Sequence, residues 1–271
     1  MTPSDATPSA SPAELGRSFG SAVDAYDRGR PGYPDDAVDW LVAHAPARVA
    51  GAFVPERARA AGADASDRVR AADLGAGTGK FTASLVARGL DVTAVEPDAA
   101  MLERLSTQLP SVRALAGTAE EIPLPDASVE LVTAAQSWHW VDPERASAEV
   151  ARVLVPGGVL AMVWNIRDES VPWVRRLGEV AGSSAAERFE TVQPPLGSAL
   201  ERVAYAQFEW AYDLDRPALL DMFASRSYVI AMPAEERAAV LAAVGEVVDA
   251  LPGDRVAMPY ATRVTIARRA S

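Results

Sequence analysis

The chain has 271 residues, of which 49% are hydrophobic, a formal net charge of −11 and no cysteine. That length can bury a full core, while the missing cysteines exclude disulfides, thiolate nucleophiles and cysteine metal sites. The acidic balance leaves no cationic excess to displace phosphate counterions, so no nucleic-acid partner is expected. No apolar run of about 18 residues occurs, so no segment is expected to enter a membrane.

Residues 1–18 read as a disordered tail. Met1 to Glu14 is rich in Ser, Pro and Ala and lacks the basic and apolar stretches of a signal peptide, which predicts a cytoplasmic protein. One domain is expected over 19–271. It opens with a lead-in, residues 19–34, whose two prolines and three glycines rule out a regular helix over most of its length. Aromatic and arginine residues crowd this segment. It reads either as a lid over a pocket or as a packing arm in which Phe19, Tyr26 and Tyr33 cover apolar surface.

An amphipathic helix is predicted over Asp35 to Ala47 and a connector over Pro46 to Arg68. Val69 to Leu74 then reads as a buried strand. Gly75, Gly77 and Gly79 make a tight turn, and Lys80, the only lysine, begins a helix to Arg88. Strand, glycine turn and helix open a mononucleotide-binding βαβ unit, in which main-chain N–H groups lie open to a ligand. The second strand, Leu90 to Glu96, ends on an acid at the distance from the glycine turn where such folds bind ribose hydroxyls.

Further strands are predicted at Arg113 to Ala116 and Val129 to Ala135, the latter followed by Gln136-Ser-Trp-His-Trp-Val-Asp142 and a helix from Pro143 to Leu154. Pro156-Gly157-Gly158 turns the chain into a strand over Val159 to Trp164. This alternation predicts an α/β fold with a parallel, doubly wound sheet. Ligands in such sheets bind at the carboxyl ends of the strands, the edge that carries Asp73, Glu96, Gln136 to Trp140 and Trp164 to Arg167. Beyond it come a helix at Val171 to Ala181, a polar loop at Ser183 to Ser198 and a strand at Val203 to Asp213. Two helices, Arg216 to Ser225 and Ala234 to Leu251, form a helical insert over 214–252 that would cap the ligand edge, and Tyr260 to Ala267 is the last strand.

Asp73 two residues before the first glycine, the G-x-G-x-G spacing, Glu96, the segment Gly117-Thr-Ala-Glu-Glu-Ile-Pro-Leu-Pro-Asp126 and Pro156-Gly-Gly158 recur together in one family. The chain resembles the class I S-adenosylmethionine-dependent methyltransferases, in the small-molecule branch that includes trans-aconitate-type and ubiquinone-biosynthesis-type enzymes. The likeness covers residues 19–168 well and is thinner from 169 onward. It implies a Rossmann-like seven-stranded sheet of order 3-2-1-4-5-7-6 with strand 7 antiparallel. The implied cofactor is S-adenosyl-L-methionine. The implied activity is methyl transfer to a small molecule, with oxygen favoured over nitrogen or carbon as the acceptor, by a monomer or homodimer.

Carried over residue by residue, Gly75, Ala76, Gly77 and Gly79 would line the methionine and ribose portion of the cofactor. Asp73 would orient its amino group and Glu96 its ribose hydroxyls. Pro97, Asp98 and Met101 would flank the adenosine, while Thr118, Ala119 and Glu120 would meet the adenine edge. Thr118 stands where many relatives have aspartate, which shifts that contact toward Glu120. Gln136 would reach the methionine end through its backbone. Tyr26, Trp138 and Trp164 are candidates to face the sulfonium, or are ordinary core. His139 is either a general base or a structural histidine. A carboxylate acceptor would need no base and would instead call for an arginine such as Arg30, Arg167 or Arg226, although Arg30 could equally hold the cofactor's own carboxylate. Asn165 and Tyr228 complete the expected acceptor site. No metal site is expected. A non-catalytic cofactor-binding protein and a nucleotide-dependent oxidoreductase are the alternative readings.

Overall fold

The computed structural model describes residues 29–46, 68–182 and 193–270. The expected tail, most of the lead-in with Tyr26, most of the connector and part of the polar loop lie outside the described residues. Helix α1 (Asp35–Val42) precedes β1 (Arg70–Leu74), α2 (Lys80–Ala87), β2 (Asp91–Glu96), α3 (Ala99–Gln108), β3 (Arg113–Ala116) and β4 (Val129–Ala135). A single 3-10 turn (Trp138–Trp140), α4 (Pro143–Val153), β5 (Leu154–Arg167), α5 (Pro172–Ala181) and β6 (Leu200–Asp215) follow. The chain ends in α6 (Arg216–Ala224), α7 (Ser227–Ile230), α8 (Ala234–Asp249) and β7 (Arg255–Arg269).

All seven strands form one sheet of order β3-β2-β1-β4-β5-β7-β6, with β7 antiparallel to both neighbours. This is the Rossmann-like α/β fold implied by the sequence. Alternate residues of its central strands enter separate cores, as a pleat with period two requires. Ala72, Val132, Leu160 and Met162 pack on the side of α4, with Ala146 and Val150. Ala71, Leu131, Val159 and Ala161 pack on the side of α1 and α2, with Leu41, Phe81 and Leu85. Both faces are covered, so β4 is buried along almost its whole length rather than alternately, and is apolar apart from Glu130 and Thr133.

Two expectations change. The fifth strand begins at Leu154, not Val159, because Leu154 already pairs with Val129 before a bulge carries the register to Leu131 opposite Val159. Pro156 to Gly158 therefore lies within the strand's irregular start. The last two strands are also longer than their apolar stretches. They form a ladder from Leu200–Arg269 to Asp215–Arg255, broken once by a register shift between Arg202 and Ala204. The far end of that ladder is roofed by the insert, where Leu219, Met222 and Phe223 of α6 pack with Val244 and Val248 of α8, Val174 and Leu177 of α5, and Tyr260.

Candidate active site

The carboxyl ends of β1, β2, β4 and β5, together with Arg226 between α6 and α7, Tyr260 of β7 and Arg30, Pro31 and Tyr33, surround a cavity of about 200 Å³. At its base, Asp73 is buried near the end of β1. The Thr82 hydroxyl donates to Oδ2 at 2.7 Å and the Thr133 hydroxyl to Oδ1 at 2.8 Å. Burial pushes the Asp73 pKa up to about 6, and these two hydroxyls hold it from rising further.

Glu96 closes β2. Its Oε2 accepts the Gly77 N–H at 2.8 Å and its Oε1 the Asp98 N–H at 2.9 Å, so the carboxylate braces the glycine turn against the start of α3. Burial raises its pKa to about 7, against the pull of those two donors. Each carboxylate oxygen has a second acceptor direction, leaving Glu96 able to take two further hydrogen bonds from a diol. Asp98 caps α3 by accepting the Ala100 and Met101 N–H groups.

The glycine turn passes close to the chain that leaves β4. Gly75 has φ +64°, and a Cβ there would lie 2.6 Å from the Ser137 Cβ. No side chain fits. Buried Thr78 lines the cavity, and its Oγ1 has no hydrogen-bond partner among the described residues. An orphaned hydroxyl, a carboxylate with acceptor capacity to spare and the apolar Pro97, Met101 and Ala119 fit a nucleoside with an amino-acid tail.

Under the insert the lining changes. Gln136 sits at φ +57°, a strained position for a residue with a side chain, and its Nε2 donates to the Asn165 carbonyl at 3.1 Å. Asn165 Nδ2 donates to the Gly32 carbonyl at 2.8 Å, and Asn165 Oδ1 accepts the Thr262 hydroxyl at 2.6 Å. The Trp210 indole N–H donates in turn to Thr262. This relay ties the lead-in to β5, β7 and β6. His139 packs 4.4 Å from Trp140. Burial, aided by the Arg30 cation, lowers the His139 pKa to about 3. Such an imidazole is neutral near pH 7 and holds a proton poorly, which favours its structural reading over its reading as a base.

The cavity wall thus contains Arg30, Asp73, Gly75, Ala76, Gly77, Glu96, Pro97, Met101, Thr118, Ala119, Glu120, Gln136, Trp138, His139, Asn165 and Arg226 of the residues expected from sequence. Five stand elsewhere, the first being Asp98, whose side chain is occupied in capping α3. Gly79 caps α2 at φ +91°, against Leu105 and Leu109. Trp164 points into the α4-side core, Tyr228 donates its hydroxyl to the Gly182 carbonyl at 3.0 Å, and Arg167 lies behind Phe223 with Glu169 3.7 Å away. Trp138 lines the cavity while its indole N–H donates to the Pro195 carbonyl. The sequence reading missed Tyr33, Thr78, Lys80, Phe81, Ile166 and Tyr260 as lining residues. Only Lys80, a lone lysine in the first helical turn after the glycines, carried a visible signal.

A seven-stranded sheet of this order, with an acid-flanked glycine turn feeding a cavity at its carboxyl edge, defines a nucleotide-type cofactor site on a Rossmann-like fold. Comparison with known proteins makes it specific. A family model for a methyltransferase domain matches residues 72–162. An uncharacterized methyltransferase of Mycobacterium tuberculosis is 46% identical over 261 residues, covering 94% of this chain and 98% of that protein. An uncharacterized methyltransferase-like protein of Schizosaccharomyces pombe is 31% identical over 258 residues, covering 91% of this chain and 93% of that protein. A solved structure from Anaeromyxobacter dehalogenans, assigned as a type II methyltransferase, superposes with a TM-score of 0.58 at 26% identity, covering 89% of this chain and 97% of that one. The chain belongs to the class I S-adenosylmethionine-dependent methyltransferases, and S-adenosylmethionine is its cofactor.

Proposed function

We propose that this enzyme methylates an oxygen of a small-molecule acceptor held under the helical insert. When bound, S-adenosylmethionine supplies an electrophilic methyl group on a positive sulfonium. Glu96 accepts the ribose hydroxyls, and Asp73 sets the amino-acid end through the Thr82 and Thr133 hydroxyls that hold its carboxylate. Pro97, Met101 and Ala119 cover the base, with Thr118 and Glu120 at its edge. Gln136 presents its strained backbone to the reacting end. The acceptor half is formed by Trp138, His139, Asn165 and Arg226, while Arg30 stands at the junction of the two halves.

Transfer from a sulfonium is a single displacement in which charge is lost, so orientation and exclusion of water can supply most of the rate. A neutral His139 is compatible with that economy. The observation that supports the reading is the brace of Glu96 between Gly77 and Asp98, which sets a carboxylate with acceptor capacity to spare on the wall of a cavity that also reaches Arg226 of the insert. On the same reading, residues 19–271 act as one domain, in the cytoplasm, as a monomer or homodimer. No helix among the described residues is long and apolar enough to cross a membrane.

S-adenosylhomocysteine at 100 times its dissociation constant should stabilise the fold by about 2.7 kcal/mol, visible as a raised melting temperature. An unchanged melting temperature at millimolar concentration would overturn the reading. NADH should produce no shift; if NADH alone did so, the oxidoreductase alternative would replace it.

A further inference from the structure

Charge is segregated across the cavity. Asp73, Glu96 and Glu120 come from the side of β1, β2 and the segment after β3, where the cofactor's nucleoside belongs. Among the described residues, Lys80 is the cation lining that side. Arg30 and Arg226 come from the other side, the lead-in and the residue between α6 and α7. Arg226 is only 7% exposed and its guanidinium lies 5.8 Å from the Phe223 ring centre. Arg167, outside the cavity wall and 3.7 Å from Glu169, lies 4.9 Å from the same ring. Arg30 donates to the Ser225 carbonyl, directly before Arg226 in the chain. Arg30 and Arg226 thus place two cations on one wall of the cavity, and the field of the buried Arg226 is little screened by solvent.

Resting on the methyl-transfer reading, we propose that the acceptor is a carboxylate, that Arg226 is its specificity-determining clamp, and that the product is a methyl ester. One oxygen of the acceptor carboxylate bonds to the Arg226 guanidinium, which suits a planar two-oxygen anion. The other oxygen forms a C–O bond to the methyl carbon with its lone pair. The C–S bond breaks as this bond forms, and its electron pair stays on sulfur. One negative and one positive charge disappear together, no proton is released and no base is required. A poorly basic His139 is in keeping with that balance, whereas an alcohol or phenol would need its proton removed. Because Arg226 holds an anion whose charge fades in the transition state, it favours binding more than chemistry, and its loss should raise KM while leaving kcat little changed.

The test begins with methyl-labelled S-adenosylmethionine and the small-molecule fraction of a cell extract. Transferred label should be released as methanol by mild alkali, as a methyl ester requires. Label that survives alkali overturns the proposal and leaves methyl transfer standing. Absence of transfer, with S-adenosylhomocysteine still binding, overturns both. Independently, protein saturated with S-adenosylhomocysteine is titrated with succinate, benzoate and octanoate and with their amides. The carboxylates should raise the melting temperature and the amides should not; no shift with any carboxylate overturns the proposal. Arg226→Gln should abolish that shift and raise the acceptor KM about 10- to 100-fold. Arg226→Lys, which keeps the charge, should recover part of both. S-adenosylhomocysteine affinity should be the same in both variants as in the wild type. A loss there would assign Arg226 to the cofactor's own carboxylate and overturn its role as acceptor clamp.

Discussion

Glu96 and Asp73 place two acids in surroundings that resist their charge. Burial raises their pKa values to about 7 and about 6. For the cofactor-free protein the sign is unusual. A group whose pKa is higher in the folded than in the unfolded state contributes stability that is complete below the unfolded value, here near 4 to 4.5. That contribution is lost as pH rises through about 6 for Asp73 and about 7 for Glu96. Ligand binding runs the other way, because an ionised Glu96 accepts both ribose hydroxyls and a protonated one does not. S-adenosylhomocysteine affinity should therefore fall by roughly tenfold from pH 8 to pH 6, with proton release on binding at pH 6.5 seen as a buffer-dependent calorimetric heat. Glu96→Gln should weaken binding at pH 8 and flatten this profile. A variant with the same affinity and slope as the wild type would remove Glu96 from the ribose site.

Among the elements, those that open the sheet were the most legible. Val129 to Ala135 is apolar apart from Glu130 and Thr133 because both faces are buried, and the glycine turn marks the passage from a strand to a helix. The same two-sided burial concealed which side chains reach the cavity. Trp164 and Asn165 are adjacent on β5 and equally suited to an acceptor site, yet Trp164 lies in the α4-side core while Asn165 faces the lead-in. Phe81, Ile166 and Tyr260 line the cavity with no polar pattern to mark them. Short α7 was invisible because four residues carry no periodicity. The contact between the lead-in and α6 was also hidden, since it depends on a missing side chain. A Cβ on Gly29 would stand 2.2 Å from the Met222 backbone nitrogen. Gly29→Ala must lift the lead-in from α6 or shift that helix, at a cost on the order of 1–3 kcal/mol. The variant should lower kcat/KM at least tenfold while the protein remains folded at assay temperature. Wild-type turnover with an unchanged melting temperature would show that this close approach does not shape the cavity.

Across the whole molecule, residues 29–34 belong to the site more than to the core. They touch both α6 and β5: Gly29 lies against Met222 of α6, Arg30 donates to the carbonyl of Ser225 at that helix's C-cap, and the Gly32 carbonyl accepts from Asn165 of β5. Tyr33 adds an edge-on ring contact to Phe81, 4.7 Å between centres. The sheet is complete without residues 29–33, of which Tyr33 packs against the edge of the α1- and α2-side core, and the Ala37 and Val38 N–H groups of α1 bond to the Pro34 carbonyl. Deleting residues 1–33 should therefore leave a cooperatively folding protein with a moderately lower melting temperature. It would also remove Arg30, Pro31 and Tyr33 from the cavity wall and admit water where methyl transfer needs it excluded. Turnover should fall by at least a hundredfold, while S-adenosylhomocysteine still binds through Asp73, the glycine turn and Glu96. A lid that closes on the cofactor makes one further demand: trypsin should cut the Arg28–Gly29 bond more slowly when S-adenosylhomocysteine is present. Equal cleavage rates would make the lead-in a fixed wall. Undiminished turnover by the shortened chain would exclude it from catalysis altogether.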